Sequence, residues 1–193
     1  MSKIDINISI IDNIVDEFET FVAEIELYFD MLLGDMSEYP EYAVPRTLKK
    51  AVKHLSSAGE LLIKYRLQVE DWAFIFDNIN TASKSKLNSG NFNSVNFKDA
   101  KIRLKNLCGI DVALSSFGEL RKLRNRAEHY ELYTERFSTI KLIKDASEEL
   151  LSFIDSFISI SEEECEKTNW SASIEGIRKV NEKLDEELNN LEV

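Results

Sequence analysis

Glycine and proline are scarce in this 193-residue chain, with six and two residues. So few breakers over such a length exclude a fold of many short strands and tight turns, and favour helices. Cysteine is limited to Cys108 and Cys165. That excludes a disulfide framework and fits a reducing compartment. Histidine is limited to His54 and His129, so a Cys/His zinc site lacks ligands. Neither a metal nor a cofactor is expected. No apolar run approaches the roughly 18 residues of a membrane span, and no membrane partner is expected. The N-terminal MSKIDINISIIDN has no basic start, no long apolar core and no small-residue cleavage pattern. No secretory signal is read there, and a cytoplasmic location is expected. A Walker loop, a Gly-rich dinucleotide fingerprint and a serine-nucleophile elbow are also missing.

What is present is apolar residue at helical spacing and charge in blocks. The hydrophobic fraction of 44% is enough for a real core. The net charge of −11 argues at first against a nucleic-acid partner. Its distribution changes that, because Lys84 to Arg126 holds ten basic and three acidic residues. Such a block can attract an anion even on an acidic protein, or it can neutralise the acidic remainder across an interface.

Ile11, Ile14, Val15, Phe18, Phe21, Val22, Ile25, Tyr28, Phe29, Leu32 and Leu33 recur at intervals of three and four. This predicts a first helix, ended by Gly34, Pro40 and Pro45. A second helix is predicted from about Thr47 to Ile79, because Leu48, Val52, Leu55, Leu62, Val69 and Phe76 keep nearly heptad spacing, with Gly59 on the same face as a point of close approach. Residues 80–96, rich in Ser, Asn and Gly, read as a long loop. Phe92 and the two lysines of that loop are candidates to touch a nucleic acid. Asn96 should cap a short helix broken at Gly109. Further helices are predicted over Ser115 to about Tyr133, from Phe137 to Phe157, and over Ile174 to Leu191. Glu162, Glu163, Glu164 and Glu166 read as a solvated helix face. The expected fold is an all-α antiparallel helical bundle over residues 1–160, with an acidic C-terminal helical tail over 161–193. The tail is expected to pack on the bundle or on a second subunit.

The stretch RKLRNRAEHYE, residues 121–131, carries the chemistry. Residues four apart share a helix face, so Arg121, Asn125 and His129 line up, and Arg124 is spaced to pair with Glu128. Leu120, Leu123 and Ala127 supply the buried side. A guanidinium can hold two phosphate oxygens, and an imidazole titrates near neutrality and can move a proton either way. RNA brings its own nucleophile, the ribose 2′-hydroxyl, so such a site can cleave it without a metal. The competing reading is a charged helix end, since cations near a helix C-terminus are favoured by its dipole.

LRNRAEHYE resembles the signature of the HEPN superfamily, in which an arginine, often followed by asparagine, precedes a histidine by four to six intervening residues. The all-helical pattern over residues 10–160 is similar to that superfamily's bundle. Here Arg124-Asn125 and His129 match. The resemblance implies a dimeric, metal-independent endoribonuclease, a toxin or antiviral-defence component, with an antitoxin or regulatory protein as partner. It implies Arg124 and His129 as catalytic residues supported by Asn125, and Arg121, Lys122, Arg126 and Tyr130 are expected to bind the RNA. The position two after the histidine, where silenced toxins commonly carry tyrosine, is Glu131. The alternatives are a non-catalytic HEPN-like protein–protein interaction module and a nucleotide-sensing module using the same arginines.

Overall fold

The computed structural model describes residues 9–34, 39–40, 42–129 (the backbone only of residue 129) and 135–191. Among them are eight α-helices and no β-strand; one isolated bridge joins Phe76 and Ser94. The expected all-α bundle is the fold. No helix among the described residues is long and apolar enough to cross a membrane.

Helix α1 (Ile10–Leu33) starts at a capping box. Asp12 N–H donates to the Ser9 hydroxyl at 3.1 Å, and Ser9 N–H donates to the Asp12 carboxylate at 2.7 Å. Its apolar stripe is buried from Ile11 to Met31, and Gly34 ends it as expected. Helix α2 (Ala43–Glu70) differs from expectation at both ends. It begins before Thr47, with Pro45 inside its first turn. Proline is tolerated there because first-turn N–H groups have no intrahelical acceptor. It stops at Glu70 rather than near Ile79. Asp71 is extended and its carboxylate accepts from Ala73 N–H, capping a 3₁₀ turn over Trp72–Ile75. The near-heptad spacing that reached Phe76 continued past the end of the helix.

The chain divides into two compact units, Met1–Gly59 with Leu114–Val193, and Glu60–Ala113. In the first, α1, the start of α2, α5 (Ser115–His129), α6 (Arg136–Phe157) and α8 (Trp170–Leu191) form a closed circuit. Antiparallel neighbours are tied by named pairs. Lys50 meets Glu24 at 2.7 Å, and His54 Nδ1 donates to Glu17 at 2.7 Å, joining α2 to α1. That pair gives His54 a structural role. Across α6 and α8, buried Ser147 and Asn181 lie 2.6 Å apart, and Lys144 reaches Asp185 at 2.7 Å. Five helices of alternating direction cannot close a ring without one parallel contact, and α1 with α8 is that contact. Glu19 accepts from Asn169 and Ser173, while Glu26 pairs with Lys183. The apolar face of α8, from Trp170 to Leu188, is buried inside this unit. The acidic run forms α7 (Glu162–Thr168), where three glutamates favour the positive end of the helix dipole.

Two details set the packing. A Cβ on Gly59 would lie 2.3 Å from the Phe117 ring and 3.0 Å from Leu150, so hydrogen is the only side chain that lets α5 and α6 close on α2 there. Buried Tyr28 takes a hydrogen bond from Arg136 Nε at 2.7 Å, and Arg136 also pairs with Glu187, linking α1, α6 and α8. Burial pushes the Tyr28 phenol up to about 12, Arg136 opposing and Glu187 assisting.

In the second unit the expected loop is built rather than open. It holds α3 (Lys84–Ser89) and 3₁₀ turns, and Asn96 caps α4 (Phe97–Cys108) as expected. Val95 N–H donates to Ile75 C=O and Asp77 N–H to Asn93 C=O, both at 2.8 Å. Phe92 stacks on buried Phe76 with ring centroids 4.2 Å apart and is itself half-buried.

Gly59→Ala is expected to lower stability by about 1–3 kcal/mol through overpacking, although alanine is the better helix former. Gly118→Ala on α5 meets open space and should stabilise by about 0.5–1 kcal/mol. Urea unfolding of both variants checks this contrast of sign. Because the folded Tyr28 pKa is raised, its stabilising contribution is full below pH 10 and is lost as pH climbs toward 12. Phenolate absorbance should show one tyrosine ionising near pH 12, and Tyr28→Phe should remove it.

Candidate functional site

The site is built on α5, whose underside is apolar: Phe117, Leu120, Leu123 and Ala127 are buried. Its start is held by Glu149 of α6. One carboxylate oxygen accepts from the Ser115 hydroxyl and Ser116 N–H, each at 3.0 Å, and the other from Phe117 N–H at 2.9 Å. First-turn N–H groups lack intrahelical acceptors, and a negative group suits that end of the dipole. A side chain from a neighbouring helix therefore sets where α5 begins and how it is oriented.

Near the other end, Arg124 and Asn125 are joined. The Asn125 carboxamide oxygen accepts from Arg124 Nε at 3.3 Å and Nη2 at 3.1 Å. Arg124 also lines a cleft between α5 and the first turns of α2. The cleft measures about 300 Å³ and is lined by Arg46, Lys49, Lys50, Lys53, Arg124, Ala127 and Glu128. Among the described residues, five cations thus face one carboxylate, on a protein whose net charge is −11. Arg46, Lys49 and Lys53 are exposed, and among the described residues they have no ion-pair partner. Lys50 is engaged by Glu24.

The remaining expected residues lie elsewhere on the same helix. Arg121, Asn125 and His129 follow one face, about a quarter turn around from the cleft face of Arg124, Ala127 and Glu128. Arg121 is half-buried, and Lys122 is exposed and pairs with Glu119 at 2.6 Å. Arg126 is exposed. His129 is the last residue of α5; its side chain and Tyr130 lie outside the described residues. The guanidinium brought to Asn125 is thus that of Arg124.

Sequence reading missed the four cations of α2. They lie outside the basic block, yet a signal existed: Arg46, Lys49, Lys50 and Lys53 follow the i, i+3, i+4, i+7 spacing of one helix face. Much of the basic block, by contrast, is used at home in the second unit. Lys84 lies over the Trp72 ring at 4.2 Å, and Lys105 pairs with Asp111 at 2.7 Å. The Arg103 guanidinium donates to the carbonyls of Phe74 and Asp77 at 2.7 Å and to that of Phe76. Burial, and then Glu70, push the Cys108 thiol above its ordinary value, which disfavours the thiolate a nucleophile needs. Among the described residues no group of three His, Cys, Asp or Glu is placed to hold a metal ion.

Comparison of the chain with protein-family models, curated proteins and solved structures finds no significant match.

Glu149→Ala should uncap α5 and cost about 1–2 kcal/mol. Amide hydrogen exchange should accelerate first at Ser116 and Phe117, and unchanged protection at both would contradict the assigned role.

Proposed function

We propose that this chain is a metal-independent endoribonuclease of HEPN type, acting as a toxin or antiviral-defence component. What carries the reading is one juxtaposition: the Arg124 guanidinium, braced by Asn125, lines a cleft with four cations of α2. A phosphodiester is the ligand such a set suits, because the charge must be met by donors already in place.

In this reading His129 takes the proton from the ribose 2′-hydroxyl, whose oxygen attacks the adjacent phosphorus. The bond from phosphorus to the 5′-oxygen breaks, and the departing oxygen collects a proton. The products are a 2′,3′-cyclic phosphate and a 5′-hydroxyl end. Arg124 stabilises the charge that builds on the phosphoryl oxygens, and Asn125 holds Arg124 in place. A two-fold homodimer would bring a second imidazole to the same phosphate as the acid. The apolar face of α8 is already buried within its own unit, so that dimer must use another surface. An interaction module that docks an acidic partner is the second reading. The cleft cations favour it, since carboxylates of a partner suit them as phosphates do.

The test is single-stranded RNA incubated with the protein in EDTA. Cleavage with cyclic-phosphate ends is expected, reduced at least about 100-fold by His129→Ala and by Arg124→Ala. Arg124→Lys should rescue poorly, because an ammonium lacks the planar fork. DNA of the same sequence should survive. Absence of cleavage in every condition, with capture of an acidic protein partner that Lys49→Glu disrupts, would establish the second reading instead.

A further inference from the structure

We infer that the first turns of α2 form a second, non-catalytic subsite, which grips consecutive phosphates of one RNA strand as it runs past the α5 motif. The choice of RNA rests on the catalytic reading above, whereas the capacity to hold a phosphate chain rests on the cleft alone.

Arg46, Lys49, Lys50 and Lys53 stand on one face of α2, four cations within eight residues. That placement opposes the helix's own preferences. Like charges three and four apart repel, and cations are disfavoured near a helix N-terminus. A fold needing only solubility would intersperse glutamates, as α8 does with Glu175–Lys179. The chain instead leaves Arg46, Lys49 and Lys53 exposed, without an ion-pair partner among the described residues. Glu24 holds Lys50 at 2.7 Å, and Glu128 is the only carboxylate among the described cleft residues.

The geometry selects the ligand. From Arg46 to Lys53 the helix rises about 10 Å, longer than one phosphate group but a fraction of the roughly 34 Å turn that a duplex presents. The cleft suits an extended single strand better than a duplex. The described lining residues offer cations and no aromatic ring. The subsite should therefore read the backbone, bind with strong salt dependence and tolerate any sequence. Arg124 closes one side of the cleft, which makes the strand held by α2 continuous with the linkage presented to the α5 motif.

The experiment measures binding of a fluorescein-labelled 12-nucleotide uridine oligomer by anisotropy, in a His129→Ala background so that the probe stays intact. Lys49→Gln/Lys53→Gln should weaken binding at least tenfold and lower the slope of log affinity against log salt by about 1.4, since each lysine released contributes about 0.7 on a single strand. Lys179→Gln/Lys183→Gln on α8 removes the same charge elsewhere and should change affinity less than twofold. The corresponding 12-base-pair duplex should bind more weakly than the single strand. Equal losses from the two lysine pairs, no loss from the α2 pair, or no binding by the parent protein would each overturn the subsite. Cleavage that Arg124→Ala abolishes, but that Lys49→Gln/Lys53→Gln leaves at the parental rate, overturns the subsite and spares the catalytic reading. Lysine-dependent binding by a protein that never cleaves does the reverse.

Discussion

The close approach of α5 and α6 to α2 at Gly59 is the constraint on which the candidate site depends. With no Cβ at that point, the Phe117 ring and Leu150 fill the space a side chain would take. Seated there, α5 runs antiparallel to α2, and its later turns pass the first turns of α2. Glu149 fixes α5 from the opposite end through three hydrogen bonds to its opening residues. A steric contact and an electrostatic cap thus act on the same helix. Together they bring Arg124 beside Arg46, Lys49, Lys50 and Lys53.

Charge on this protein is organised by use rather than by total. The Lys84 to Arg126 block holds the densest positive excess, yet several of its members are tied to rings, carbonyls and carboxylates close by. Arg103 illustrates the principle. Its fixed fork satisfies three backbone carbonyls that an irregular segment cannot pair by itself, so its charge serves the fold. The cations of α2 are fewer and lie outside the block, but most are left facing solvent. A cleft of that kind concentrates field locally, and the negative remainder of the molecule does not cancel it at short range because surface charges are screened beyond about 8–10 Å.

The division of labour between the two helices follows from their chemistry. On α5 a guanidinium braced by a carboxamide has a defined orientation, which suits a charge that must be met at one point. On α2, lysines on flexible stems have loosely defined positions, which suits a polyanion that must be held but not distorted. The proposed nuclease and its strand-holding subsite draw on that difference.

Local pattern was legible without the fold. Apolar residues three and four apart announced α1, α6 and α8, Asn96 announced the start of α4, and Gly34 the end of α1, because helix period and capping are properties of neighbouring residues. The Arg124-Asn125 pair belongs in the same category. Other features were beyond local reading. Asp71 ended α2 where the apolar spacing continued, since a capping hydrogen bond outweighs a period that happens to persist. The loop over 80–96 gained a stacked Phe92 and a bridge because its partners lie in the preceding 3₁₀ segment. The sequence by itself therefore determined that the chain is helical and where a guanidinium and a carboxamide stand side by side. Only the tertiary structure decided that the cations of α2 meet Arg124, over seventy residues away, because nearness between distant charges is set by which helices pack and by how closely Gly59 lets them do so.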